Sequence, residues 1–418
     1  MSVADVTWVF FLLGLCLVSV QLSRFYLGHW FTPLSIYACA NLGSLGLYHL
    51  RLLDLVKLSL ATYGLALASV ALFTLGSLMA CGWRVRRHDA AWNERPRTKN
   101  LAAFFYTVAI LANTGWLLAA VILVLRFGVG GLLRNLWLLQ TEFQMQFIGY
   151  LNVIGILVAP AYILKRFHAP VASRRPLDHV LLLLALVGLV LSGIKSYLTF
   201  TAIAAGLVWS VARPRAFRAG HFALILAGLL VFFVFYNKQI DLFVHAEYRG
   251  ADFFARLPWL HRPYLYAVGS WPALDILFQG DVAPPPRFGH VILEPLWKTI
   301  SSFGFAPYQP KPLPFANIGP DMFNVYSFVG EILWDIGLWP ALVFSWLLGL
   351  IATRLYIRAR SCRYWGHQLI YALFGYGVFI SLFQYGYRFN TLFLLGIAYL
   401  FGFVVLRGGV FVARSARD

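Results

Sequence analysis

Glu331 and Asp335 stand four residues apart in an otherwise apolar run, Asn324-Val325-Tyr326-Ser327-Phe328-Val329-Gly330-Glu331-Ile332-Leu333-Trp334-Asp335-Ile336-Gly337. Read as one helix, spacings of three and four place Asn324, Ser327, Glu331 and Asp335 on a single polar stripe. Carboxylates one turn apart repel, and crowding with partial burial is expected to raise the pKa of at least one of them. That is the setting in which a carboxylate takes a proton from a hydroxyl nucleophile. Glu331 or Asp335 is therefore the preferred general base and His290 the reserve. The bland alternative is a polar belt and cap at a helix start.

Cations that suit an anionic leaving group recur near the expected outer surface. Lys195 lies in Ser192-Gly193-Ile194-Lys195-Ser196, and Arg388 in the turn Gln384-Tyr385-Gly386-Tyr387-Arg388-Phe389-Asn390. Arg249 and Arg262 belong to a long polar loop, Arg262 within His261-Arg262-Pro263-Tyr264-Leu265-Tyr266. A guanidinium forks onto phosphate oxygens, while rings such as Tyr264 and Tyr266 give sugars a stacking surface. The competing reading makes Lys195 a snorkelling side chain and Arg388 an interfacial anchor. Asp275, Asp281, Glu294 and Asp321 read as solvated loop surface.

The elements that must carry these residues follow from composition. Of 418 residues, 60% are hydrophobic and 12% charged, which excludes a soluble protein. Apolar runs near 6–22, 31–48, 58–82, 101–125, 147–164, 178–194, 197–212, 220–236, 328–353, 366–384 and 390–406 predict an all-α polytopic membrane protein. About eleven transmembrane helices are expected, within a range of ten to twelve. The formal charge of +18 is read as a topology signal and not as a nucleic-acid footprint. The basic loop Arg84 to Lys99 is placed in the cytoplasm, and alternation puts Lys165 to Arg175, Arg213 to Arg218, Arg354 to Arg363 and the C-terminal tail on the same side. Residues 237–324 then form one large outer loop, rich in Trp, Phe and Tyr, with short interfacial helices. Residues 1–236 make an N-terminal transmembrane bundle of about eight helices, and 325–418 about three more with a basic tail. The N-terminus lacks the basic stretch of a cleaved signal, so its apolar run reads as a retained first span. Cys16, Cys39, Cys81 and Cys362 have no zinc spacing and form no disulfide framework.

The chain has no P-loop, GxGxxG, HExxH or GxSxG element. Asn324-Val325-Tyr326-Ser327, followed by Asp335-Ile336-Gly337 and a long apolar helix, resembles the N-V-Y-T … D-x-G signature of the Wzy-type oligosaccharide repeat-unit polymerases of bacterial inner membranes. The sharp part of the likeness covers about fourteen residues; many short spans and a large outer loop before the signature extend it in outline. Ser327 stands where Thr is commoner, Trp339 where the residue is often small, and Lys195 where Arg is expected. The resemblance implies a multi-pass inner-membrane glycosyltransferase with a cytoplasmic C-terminus. Such an enzyme moves a glycan from undecaprenyl diphosphate onto an incoming lipid-linked repeat unit at the periplasmic face, without metal or cofactor. Asn324, Tyr326, Tyr385 and Tyr387 join the cations as substrate-binding candidates, and the implied partners are the lipid-linked oligosaccharide, the bilayer and a chain-length regulator. An O-antigen ligase acting on lipid A core, and a lipid-linked oligosaccharide flippase, are the alternatives.

Overall fold

The computed structural model describes residues 2–82, 100–134, 146–192, 194–241, 252–283, 285, 288–302, 304, 313–319, 322–361 and 364–401. The described residues are about 79% helical, and the only strands among them are a two-residue antiparallel pair, so the class is all-α. In chain order the helices are α1 (Val3–Leu27), α2 (Pro33–Tyr48), α3 (Leu60–Ala80), α4 (Leu101–Arg134), α5 (Gln146–Ile154), α6 (Val158–His168), α7 (Pro176–Leu191), α8 (Lys195–Ala212) and α9 (Ala219–Asp241). Four short helices follow within the long loop, α10 (Asp252–Arg256), α11 (His261–Val268), α12 (Ser270–Phe278) and α13 (Glu294–Ser302). After the strands β1 (Ala316–Asn317) and β2 (Met322–Phe323) come α14 (Ser327–Ile336), α15 (Leu338–Ser361), α16 (Trp365–Phe379) and α17 (Phe389–Tyr399).

Among the described residues, five helical segments are long and apolar enough to cross a membrane: Val3–Leu27, Leu60–Ala80, Leu101–Gly130, Ile148–His168 and Leu338–Ser361. Pro176–Leu191, Ala219–Val234 and Asn390–Tyr399 are shorter apolar helices. Many side chains on these elements are exposed Leu, Val and Phe, as on α1, α4 and α7, which is the surface a hydrocarbon solvent requires.

Two corrections to the sequence reading concern the signature. The run 324–337 is not one helix, because α14 begins only at Ser327 and Asn324 lies in the irregular stretch before it. Nor is 328–353 one span. Gly337, with φ 98° and ψ 175°, ends α14, and its N–H caps back to the Leu333 carbonyl. This backbone conformation is essentially reserved to glycine. Glu331 and Asp335 therefore lie on a separate short helix, outside the candidate span Leu338–Ser361.

The residue contacts divide the chain into two compact units, the first made of Met1–Ala90, Leu230–Ile357 and Gly377–Leu392. In it the hydroxyls of Tyr37, Ser69 and Ser345 link α2, α3 and α15 through hydrogen bonds of 2.6 and 3.0 Å. Gly76 and Gly349 allow α3 and α15 to meet backbone to backbone, since a Cβ at either would strike the carbonyl of Trp346 or Phe73. Asn41 of α2 donates to the Ser381 hydroxyl at 2.9 Å. The second unit comprises Ala91–Leu229, Arg358–Tyr376 and Phe393–Asp418. There α4 packs against α5, α6 and α7, with Gly115 opposite Leu151 and Gly188 opposite Trp116, where no larger residue fits. Phe200 and Tyr376 stack with centroids 3.8 Å apart.

Candidate functional site

The first unit gathers most of the residues singled out from the sequence around α14. Ser327 opens that helix in the left-handed region, φ 63°, with its N–H donated to the Phe383 carbonyl at 3.1 Å and its Oγ accepting the Gly330 N–H at 3.3 Å. Gly330 has a packing reason: a Cβ there would come within 2.9 Å of Tyr326 and 3.0 Å of Leu274 on α12. Pressed against α12 and the turn after α16, α14 buries Ser327 to Ile332 together with Trp334 and Asp335.

Glu331 is wholly buried. Its Oε2 accepts the Arg388 Nη2–H at 2.7 Å and the Tyr385 backbone N–H at 3.2 Å. Its Oε1 has no hydrogen-bond partner among the described residues. Burial pushes the Glu331 carboxyl above its ordinary pKa, and the Arg388 guanidinium pulls the other way without cancelling the effect. Asp335, one turn on, is also buried. Both the Val291 and Ile292 N–H groups donate to its Oδ2, at 3.0 and 2.9 Å, while Oδ1 has no partner among the described residues. The turn that presents these amides starts at Gly289, φ 69°. His290 therefore sits in a loop pinned by Asp335, buried and edge-on to Trp334 at 6.1 Å, and Trp334 in turn donates to the Ala283 carbonyl at 2.8 Å. The two carboxylates thus do not share a proton across one turn; each is engaged by its own donors.

Arg388 reaches Glu331 from the turn after α16, and its side chain keeps 39% of its surface exposed. That turn folds tightly because Gly377 and Gly386 touch through bare backbone, with the Tyr387 ring lying over Gly377. Tyr385 stacks on Phe328 at 5.9 Å and meets Tyr387 edge-on at 5.8 Å, so both rings are packed inside and neither offers an open sugar platform. Tyr326 is wholly buried as well and donates to the Pro314 carbonyl at 2.7 Å. Asn324 is half-buried just ahead of α14.

On α11, Arg262 is half-buried and shares a face with Tyr266, four residues on. Tyr266 packs against Phe383 at 5.3 Å, which sets that face beside the turn carrying Arg388. Tyr264 donates to the Leu47 carbonyl at 2.9 Å. Arg249 lies outside the described residues. Lys195 begins α8 in the second unit, half-buried.

Asp275, read from the sequence as solvated surface, is instead wholly buried on α12. Its Oδ1 accepts the Ser59 N–H at 2.8 Å, the Ser59 Oγ–H at 2.5 Å and the Thr62 Oγ1–H at 2.6 Å, and Oδ2 accepts the Gln279 amide at 2.6 Å. A carboxylate from one helix thereby caps the start of α3, satisfying donors that the helix cannot pair internally. Only the Ser59-x-x-Thr62 spacing hinted at a cap there; nothing in the sequence named its distant acceptor. Chemically, the cluster combines one partly exposed guanidinium fixed by a buried carboxylate, a second buried carboxylate with one oxygen unpaired among the described residues, and a buried imidazole edge-on to Trp334. A comparison of the chain with protein-family models, curated proteins and solved structures finds no match.

Proposed function

We propose that the protein is a polysaccharide polymerase that transfers a glycan from undecaprenyl diphosphate to an incoming lipid-linked repeat unit at the periplasmic face of a bacterial inner membrane. The observation that carries this reading is the aimed Arg388: a wholly buried carboxylate holds its Nη2, while the side chain as a whole keeps 39% of its surface exposed, which suits contact with an anionic group. The reading includes about eleven spans, a periplasmic 237–324 loop and a cytoplasmic C-terminus.

In the reaction, a hydroxyl oxygen of the acceptor sugar forms a bond to the anomeric carbon of the donor glycan. The bond from that carbon to the diphosphate oxygen breaks, and the lipid diphosphate leaves with the electron pair. Arg388, with Arg262 on the neighbouring face of α11, stabilises the charge of the leaving group. Glu331 serves as a positioning residue for Arg388. Asp335 is the favoured acceptor of the hydroxyl proton because its Oδ1, though buried, has no hydrogen-bond partner among the described residues and none of their cations is paired with it, and His290 lies in the loop that it holds.

The test uses the full chain reconstituted in vesicles with lipid-linked repeat units. A ladder of products longer than one repeat supports the proposal, with Arg388→Ala shortening it. Transfer only when lipid A core is supplied identifies a ligase, and movement of carrier-linked units across the bilayer without elongation identifies a transporter; either overturns it.

A further inference from the structure

The second unit holds a cavity of about 270 Å³ where α6 ends and α7 begins, remote in sequence from the α14 cluster. Its lining includes Lys165, Arg166, Arg174, Arg175, Asp178 and His179. Lys165 and Asp178 cancel each other: they form a 2.6 Å ion pair, and Asp178 also accepts the Tyr106 hydroxyl at 2.9 Å and the Arg175 backbone N–H at 3.1 Å. Lys165 is 1% exposed, donates to the Tyr106 hydroxyl at 2.9 Å and lies over that ring, so its charge is internal to the fold. Three guanidinium groups remain around the opening, with no other carboxylate among the described residues of the lining. Arg174 Nε is a buried donor without a partner among the described residues. A buried guanidinium nitrogen left unmatched beside two more arginines calls for an anion.

Below the opening, α7 exposes Leu177, Val180, Leu184 and Val187 in one stripe at spacings of three and four, flanked by the exposed Leu183 and Val190. From Leu177 to Val190 the helix runs roughly 20 Å, and one leaflet's half of the hydrocarbon layer is about 15 Å. A basic pocket lined by Pro176 and His179, at the start of a helix whose hydrocarbon-facing stripe begins at Leu177, matches an amphiphile, whose charged head and acyl chain it can take together. We propose that the cavity binds the phosphodiester headgroup of an anionic glycerophospholipid, with an acyl chain along the exposed stripe of α7. The Lys165 to Arg175 segment belongs to the side that the distribution of basic residues assigns to the cytoplasm, where anionic headgroups attract such clusters.

The site is tested on the full chain in detergent by native mass spectrometry of retained lipid, offering phosphatidylglycerol, phosphatidylcholine or inorganic phosphate. The wild type is expected to retain phosphatidylglycerol over phosphatidylcholine, with the preference falling as salt rises. Replacing all three arginines (Arg166→Gln, Arg174→Gln, Arg175→Gln) is expected to weaken retention on the order of a hundredfold at low salt. Leu184→Gln with Val187→Gln is expected to weaken phosphatidylglycerol retention while leaving the arginines in place. Equal retention of the two lipids by the wild type overturns the proposal without any variant. Full displacement of phosphatidylglycerol by inorganic phosphate at matched concentration overturns it in favour of a free-anion site. None of these readouts depends on glycan transfer.

Discussion

Glu331 and Arg388, 57 positions apart in the chain, meet in a single 2.7 Å hydrogen bond between a wholly buried carboxylate and a guanidinium that remains partly exposed. The arrangement is asymmetric, because removing either partner has a different cost. Arg388→Ala leaves a buried charge without its counter-ion, a loss of about 2–3 kcal/mol. Glu331→Gln removes the charge and keeps a carbonyl for the Tyr385 N–H, so about 1 kcal/mol is expected. The double variant should recover part of the Arg388→Ala loss. Thermal unfolding of the four proteins in one detergent measures the coupling, and additivity within about 0.5 kcal/mol would mean that the pair does not act as a unit.

The pH dependence separates fold from function. Burial raises the folded-state pKa of Glu331 above its unfolded value, so its contribution to stability is fully present below the unfolded pKa and is lost as pH rises through the folded one. The proposed glycan transfer would run the other way if the ionised carboxylate aims Arg388. Activity is then expected to fall with acidification at a pH above the ordinary carboxylate range, and Glu331→Gln should flatten that limb. An acid limb unchanged in Glu331→Gln would assign it to another group.

Asp335 is expected to act first on its loop. Its one oxygen holds two consecutive backbone N–H groups, and hydrogen bonds to a charged group contribute about 1.5–3 kcal/mol each. Asp335→Ala should therefore free the 289–292 turn before it unfolds the protein. Hydrogen exchange of the peptide covering Gly289 to Leu293 should speed up by more than about tenfold. Asp335→Asn, which keeps one acceptor oxygen, should protect that turn better than Ala while still lacking a carboxylate base. If Asn restores both protection and the proposed polymerisation, Asp335 only holds the loop, and the proposed base passes to the reserve candidate His290.

Periodicity made the apolar helices legible, since a run of Leu, Val and Phe of membrane length has few other fates. It also placed Glu331 and Asp335 on one face of a helix, though within a longer span than the short helix that carries them. What it missed came from backbone conformation and from partners distant in sequence. A polar stripe drawn through Asn324 presumed an uninterrupted helix, whereas Ser327 and Gly337 each adopt positive φ and bound α14 on both sides. Asp275 was indistinguishable from loop surface because its acceptor role depends on Ser59 and Thr62, more than two hundred residues earlier. The aromatic residues Tyr385 and Tyr387 have the composition of a sugar platform, but the close approach of Gly377 and Gly386 turns them inward. Composition names what a side chain can contact; burial decides whether it is available.

Gly337 gives the most direct test of how the signature is built. With φ 98° and ψ 175°, it occupies a region that costs an L-residue about 1–3 kcal/mol. No atom lies within 4 Å of the position a Cβ would take, so Gly337→Ala changes backbone preference without a steric clash. Gly43 in α2 likewise has open space where an added methyl group would stand, but it has helical geometry. There, alanine should be neutral or stabilising by up to about 1 kcal/mol. Unfolding of the two variants side by side isolates the conformational cost. Because the break after α14 fixes where Asp335 stands relative to the span that follows, Gly337→Ala should also loosen the 289–292 turn in hydrogen exchange, while Gly43→Ala leaves it unchanged. Equal stability and equal exchange in both variants would show that the chain passes from α14 to α15 without needing glycine, and the D-x-G spacing would lose its structural reason.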